Sequence, residues 1–532
     1  MISDEVRRLE TLLDGACLSN PLLKLGRAQA TWQYLAFCED MLLKELSNED
    51  NSSQRTSMFT DMLVNNMRYP IRWIWNHCKN VGHVSRNWND ANYEAAWKLM
   101  EVAGEYSPFE TAFIYGSAGH LDLKANGNEI LPSRFLTDLR YEAYDRLLSC
   151  DRGSEEKADP KELFLAVANT VKVKGDRFTY PLNHKIVAFA KDVMRPVDND
   201  SLVLPTNWQL PDFSFGEFQS VISTTRAIAM VHHFARVIAA RKGCDGMGIR
   251  DSVFVTGQYD FVQRLKNYTG MDASKIEIIV RILTYGNSGV RNPDPALQPY
   301  IPLNEGRIAI SPSLWIGIDA ERNFCVLCNR LENLRTHYSR LSEDRSTLMK
   351  AELERRLGAS GLRFWSGSIP GRTDLPDVDL AIIDDSANVC LVLELKSFIE
   401  PAEPREIIDR SKEITKGISQ SKKLRGFHGQ EPSVLPALTG VNPITSMYFG
   451  VVSQNSIGTE VVQDETVFVV QFSHIVKRIL TEGLAATAQW LTARAYLPIA
   501  GQHFERVETD HEIAGVRLHW YAIRPLVTDV FN

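Results

Sequence analysis

The chain has 532 residues, of which 44% are hydrophobic and 23% charged, and it carries a formal net charge of −7. That composition excludes a disordered chain, and the length exceeds what one hydrophobic core supports, so two or three domains are expected. The acidic balance argues against a surface coated in basic charge for indiscriminate nucleic-acid binding, although a local basic groove stays open. No apolar run approaches a membrane span, and Met-Ile-Ser-Asp-Glu-Val-Arg-Arg opens an amphipathic helix rather than a signal peptide, so no membrane partner is expected. Eight scattered cysteines without a regular framework predict reduced thiols and a cytoplasmic location.

Residues 1–150 read as a helical region. Val6, Leu9, Leu12 and Leu13 mark one amphipathic stripe, and Trp32, Tyr34, Leu35, Met41 and Leu42 another. The polar stretch Asn48 to Ser57 reads as a loop. Tyr69 to Trp75 and Glu94 to Val102 resume the helical pattern, with aromatics expected in the core because no basic residues interleave them. Lys124 to Glu129 is a turn, and the charged Asp151 to Asp159 is a candidate boundary.

Residues 151–330 read as helical and mixed. Helices are expected over Lys161 to Lys174, Lys185 to Val193 and Phe218 to Arg241, the last with Val221, Ile222, Ile228, Val231, Ala235 and Ile238 on one side. His232 and His233 lie on or beside that apolar face with no partner at metal spacing, so they are read as core or interface histidines. Gly243 to Gly248 is a loop without a phosphate-binding signature. Ile276 to Thr284 is an apolar helix or strand, and a small extended element is expected near 292–318. Cys325 and Cys328 lack the second pair of ligands a structural zinc needs and are read as packing of one helix face. No Walker loop, zinc-protease helix or serine elbow is present.

The last third carries the chemistry. Ser339 to Leu357 reads as a helix, Leu362 to Trp365 as a short strand, and Val378 to Ile383 and Val389 to Ser397 as strands joined by the turn-forming Asp385-Ser-Ala-Asn388. With the turn centred on Ser386 and Ala387, Asp379 faces Glu394 and Asp377 faces Lys396, with Cβ atoms about 5 Å apart on one face. Leu391, Leu393 and Leu395 then point into a core. Pro404 to Leu424 follows as a helix, with Lys412, Lys416, Gln420 and Lys423 in one stripe. Gly417 within it costs about 1 kcal/mol against Ala and is expected to mark a bend. Met447 to Val452 and Thr466 to Phe472 are two further strands, and Ile475 to Leu480 starts another helix. Residues 481–532 are expected to form an accessory helix and a hairpin of Phe504 to Val507 with Val516 to Ile523.

Pro376-Asp377-Val-Asp379 and Glu394-Leu-Lys396, on two strands between two helices, resemble the PD-(D/E)XK nuclease superfamily. The resemblance covers about 334–480. Together with the length and the helical pattern of the N-terminal region, it gives a multidomain protein: a mainly α-helical N-terminal region and a C-terminal α/β restriction-endonuclease-like domain with a central mixed sheet flanked by helices. It further implies that Asp379, Glu394 and the carbonyl of Leu395 hold Mg²⁺, with Mn²⁺ as a substitute, and that Lys396 orients water and stabilises the transition state. Glu352, on the helix before the strands, and Gln420 are the further catalytic positions the resemblance implies. Lys412, Lys416 and Lys423 would track a nucleic-acid backbone, or else form a solvated face. Asp377 stays open as a supporting residue or as a replacement for Asp379 in another register. The implied function is a metal-dependent endonuclease acting on nucleic acid, DNA favoured, in the manner of a bacterial restriction or anti-phage defence effector with the N-terminal half as sensor. A homodimer or larger assembly is expected for double-strand cleavage. The alternative is a catalytically inactive nucleic-acid-binding or assembly protein that keeps the nuclease fold.

Overall fold

A computed structural model of the chain describes all residues except 1, 47–52, 88, 135–137, 153–159, 195–203, 245–249, 288, 291, 443–444 and 528–532. The protein is mixed α/β, with long helices throughout and several separate sheets. Among the described residues no helix is long and apolar enough to cross a membrane.

The functional sheet has five strands. After helix α1 (Arg345–Leu357) come β1 (Arg363–Gly367), β2 (Val378–Asp384) and β3 (Val389–Lys396), then helix α2 (Pro404–Gln430), β4 (Ser446–Ser453), β5 (Phe468–Gln471) and helix α3 (Phe472–Thr492). The spatial order is β5-β4-β3-β2-β1. β1, β2 and β3 form an antiparallel meander, whereas β4 and β5 run parallel to β3. A parallel neighbour requires a crossover, which α2 supplies. Both faces of the meander are buried. Leu380, Ile382, Leu391, Leu393 and Leu395 pack with Met349, Leu353 and Leu357 of α1, while Ala381, Ile383, Cys390 and Val392 pack with Leu424 and Phe427 of α2.

Several expected boundaries move. The helix Ser53–His77 begins inside the expected loop Asn48 to Ser57, whose first residues lie outside the described set; the polar first turns of a helix lack the apolar period that would reveal it. Lys161 to Lys174 is a helix only to Ala168, and Lys172–Lys174 then pairs with Arg177–Thr179 around a turn at Gly175. The extended element expected near 292–318 does not run through: strand Arg307–Ile310 gives way to helix Pro312–Ile316 where Pro312 takes the first helical turn. The expected single helix ending at Leu357 is two, Glu332–Ser342 and α1. Residues 245–248 of the expected glycine loop and 153–159 of the candidate boundary lie outside the described residues.

The domain division also changes. Tyr141, Tyr144 and Leu148 of helix Arg140–Arg152 belong to the core of the functional sheet. The tail hairpin, Phe504–Ile513 with Val516–Pro525, is not a separate accessory: it joins Asp122–Asn126 and Glu129–Arg134 in a four-stranded sheet through the parallel pair Leu518 and Ile130. Trp32 and Tyr34 share a core with Val253, Tyr285 and Leu314, so no core boundary separates the first region from the second. These contacts span hundreds of residues, and local pattern carries no trace of them.

A buried charge cluster fastens that shared core. The Arg236 guanidinium donates to the Asp40 carboxylate and to the Glu39 backbone carbonyl, and Glu39 Oε1 accepts from Ser313 N at 2.9 Å and Ser313 Oγ at 2.7 Å. Arg236→Ala leaves two buried carboxylates without their cation, a loss of about 3–5 kcal/mol. Urea unfolding should show a fall of that size; a change under 1 kcal/mol would assign the cluster no more weight than a surface pair.

The histidine and cysteine readings agree with the structure. His232 is buried between Tyr180 Oη at 2.7 Å and the Ser252 carbonyl at 3.3 Å, and burial pushes it and His233 down to about 4. Cys325 and Cys328 lie buried on helix Ala320–Arg330 as free thiols.

Candidate active site

The hairpin register matches the sequence reading over Asp384–Val389 to Leu380–Leu393. One step further, where Asp379 would face Glu394, the ladder ends and a side chain takes over: Asp379 Oδ2 accepts the Leu395 N–H at 2.8 Å. That contact pins the first acid against the Glu-x-Lys strand. By the period of two, Glu394 and Lys396 continue the Cys390 and Val392 face, which α2 covers. The charges therefore sit under a helix rather than on an open surface, and Glu394 is only 5% exposed.

Lys396 Nζ donates to Glu394 Oε1 at 2.8 Å and to Gln420 Oε1 at 3.1 Å. Four of the sequence-derived positions, Asp379, Glu394, Lys396 and Gln420, thus form one connected group, with Leu395 joined through its amide. Burial pushes the carboxyls of both Asp379 and Glu394 up; they share a hydrogen bond, and the Asp379 charge raises Glu394 further. The opposing pull of Lys396 is smaller than the burial cost. Asp377 is exposed, and its charge adds to the upward push on Asp379.

Glu352 is engaged elsewhere. Its carboxylate takes bonds from Arg355 (2.7 and 2.8 Å) and from Arg356 (2.7 Å) on its own helix, and the Arg355 bonds above all hold its pKa down to about 2. A Glu with arginines three and four residues on finds them by helical spacing. Lys412 and Lys416 are exposed on α2 and pair with Asp409 and Glu413, one turn earlier, at 2.9 and 2.5 Å. Such exposed pairs are worth about 1 kcal/mol or less, which an incoming phosphate could replace. Lys423 is exposed farther along the helix, near Asp374.

The role of one residue and the presence of another escaped the sequence reading. Gly417 does not bend α2, which runs without interruption from Pro404 to Gln430. Instead it lets the helix backbone down onto the charged strand: a Cβ there would stand 2.8 Å from Lys396 Cε, 3.2 Å from Glu394 Cγ and 3.3 Å from Val451 Cγ2. A glycine where a helix crosses charged strand residues was the available signal. The second is Asp145, on helix Arg140–Arg152. It accepts from Ser456 Oγ (2.6 Å), Ile457 N (3.0 Å) and Gln471 Nε2 (2.7 Å), fixing the chain beyond β4, and burial pushes it up to about 6. It lies over 300 residues from these partners, and no local signal could have marked it. The N-terminal end of α2 is held as well, by Arg322 on Glu406 at 2.9 Å and on the Glu400 carbonyl at 2.7 Å.

Among the described residues no group of three or more His, Cys, Asp or Glu side chains could hold a metal ion. Mg²⁺ needs fewer, since it binds through one or two carboxylates and keeps its remaining waters. Asp379 and Glu394 offer an all-oxygen donor set whose mutual repulsion a hard cation relieves, so these residues fit that ion. Comparison with known families, curated proteins and solved structures finds no match for this chain.

Proposed function

We propose that the chain is a Mg²⁺-dependent nuclease that hydrolyses phosphodiester bonds, with DNA the favoured substrate. The observation that carries this is the single group formed by Asp379, Glu394, Lys396 and Gln420 on a meander followed by a helix and a parallel strand, the arrangement expected of a restriction-endonuclease-like domain. Asp379, Glu394 and the Leu395 carbonyl would hold the ion, which when bound supplies charge neutralisation at the phosphate and a more acidic water. Lys396, with two N–H groups held by Glu394 and Gln420, presents its one remaining N–H to the attacking water or to the charge that develops on the phosphate. Gln420 keeps the ammonium from swinging away. The exposed lysines Lys412, Lys416 and Lys423 share the helical stripe of Gln420, so backbone phosphates would be drawn to that side of α2. A role as a defence effector, with the N-terminal half as sensor, rests on analogy alone.

Incubation of the purified chain with plasmid, linear and single-stranded DNA and with RNA, in Mg²⁺ or in EDTA, tests the reading. Cleavage in Mg²⁺ and none in EDTA is expected. Absence of cleavage of every substrate, with Lys396→Ala leaving cellular activity unchanged, would favour the inactive scaffold.

Ion binding has a pH signature. The carboxyls of Asp379 and Glu394 are raised by burial, that of Glu394 also by Asp379, so the ion-free chain retains a proton to higher pH than an ordinary carboxyl would. Mg²⁺ favours the ionised form, so its binding should release protons and tighten as pH rises through the raised range. Titration calorimetry in two buffers of different ionisation enthalpy measures that release; a heat identical in both would contradict the assignment.

A further inference from the structure

A second charged site lies in the middle of the chain, apart from the functional sheet. A cavity of about 410 Å³ is bordered by the hairpin Lys172–Lys174/Arg177–Thr179, the segment after it, strand Phe254–Gly257 and helix Gln258–Thr269. Three arginines line it, Arg86, Arg177 and Arg264, against one acid, Asp251. Asp251 is fully used: Oδ1 accepts from Arg86 Nη1 and Oδ2 from Arg177 Nε, each at 3.1 Å. Arg264 lies over the Phe254 ring, 5.8 Å from its centroid, and among the described residues donates no hydrogen bond.

Further positive charge lies close to Arg86. Arg250 and Arg307 add to the field on Arg86, and Arg250 Nε is buried with no partner among the described residues. Asp251 already serves Arg86 and Arg177 and Arg307 pairs with Glu305, which leaves Arg264 and Arg250 with no ion pair among the described residues, an excess of guanidinium charge from which folding alone gains nothing. Aromatic rings share the lining: Phe178 stacks on Tyr180, with ring centroids 6.1 Å apart and planes at 20°, and Phe254 borders the same space. Tyr180 is itself held by His232, so the wall is rigid.

We propose that this cavity binds a free nucleotide, with the phosphate on Arg264, Arg177 and Arg86 and the planar base against the aromatic wall. Guanidinium forks match phosphate oxygens with paired hydrogen bonds, and any base can stack on an aromatic face. The volume lies in the range of small-molecule sites. None of these residues belongs to the group around Glu394, so the site stands independently of the nuclease reading.

Titration calorimetry of the full chain in EDTA, which strips metal from the other site, with AMP, adenosine and inorganic phosphate as separate probes, tests the proposal. AMP should bind saturably, adenosine and inorganic phosphate each more weakly. Arg264→Gln should weaken AMP by about tenfold or more, the effect of losing one charge-assisted contact. Arg177→Gln, at a half-exposed position, should weaken it in the same sense and decides the matter if Arg264→Gln melts early. Absence of saturable AMP binding at millimolar concentration overturns the proposal, as does unchanged AMP affinity in the folded variants. Inorganic phosphate binding as tightly as AMP overturns the nucleotide assignment and leaves a simple anion site.

Discussion

Glu394→Gln should abolish cleavage while making the chain more stable at neutral pH. Glutamine keeps the volume and the oxygen that Lys396 bonds at 2.8 Å, but it removes one of two ion-holding charges. The several kcal/mol a bound cation supplies to a phosphoryl transition state correspond to about 10³-fold in rate. Stability moves the other way. The Glu394 carboxyl is raised by burial first and by Asp379 second, so its favourable contribution is present below its unfolded pKa and is lost as pH rises through the folded value. A neutral side chain escapes that loss. Thermal melting at pH 7 should place the variant above the parent, and the gap should close as pH falls toward the ordinary carboxyl range. A variant that melts lower at pH 7 would show that the Lys396 pair outweighs the burial cost; a variant that still cleaves at the parental rate would remove Glu394 from the chemistry.

Gly417→Ala should damage activity out of proportion to stability. The added Cβ meets Lys396 Cε at 2.8 Å, so the ammonium must shift away from Glu394 and Gln420. Alanine favours the helix over glycine by about 1 kcal/mol, which offsets much of the contact. A displacement of a fraction of an ångström at a catalytic group costs about 10- to 100-fold in rate. The control lies on the same helix: a Cβ at Gly426 meets nothing within 4 Å, so Gly426→Ala should stabilise by about 1 kcal/mol and leave cleavage unchanged. Gly417→Leu cannot be absorbed by the lysine tip alone, and overpacking should lower stability by about 1–3 kcal/mol. Equal rates for the parent and Gly417→Ala would mean that Lys396 has slack and that the close approach of α2 serves packing only.

The legible part of this protein was local. The turn between Asp384 and Val389 and the alternation along β3 are short-range properties, so the register that brings Asp379 to the Glu-x-Lys strand follows from residue pattern alone. Gln420 came from the family resemblance, which implies a Gln or basic residue on the helix after the third strand, and the fold brings it to 3.1 Å from Lys396. Glu352 shows where that reasoning ends. It lies on a helix as expected, though one that starts only at Arg345, yet the arginines three and four residues on capture its carboxylate, and a position on a helix does not say which partner a side chain meets.

The sequence by itself determined the strands, their pairing across the turn and the types of group they carry, because all of these follow from the period of two and from turn chemistry within about twenty residues. Only the tertiary structure decided that a helix lies over the charged face, that Gly417 is the point of closest approach, that Asp145 secures the strand ends and that the tail hairpin pairs with the N-terminal region. Those contacts depend on how separate elements bury their apolar faces against one another. That is a property of shape and area summed over the whole chain, and no window of sequence contains it.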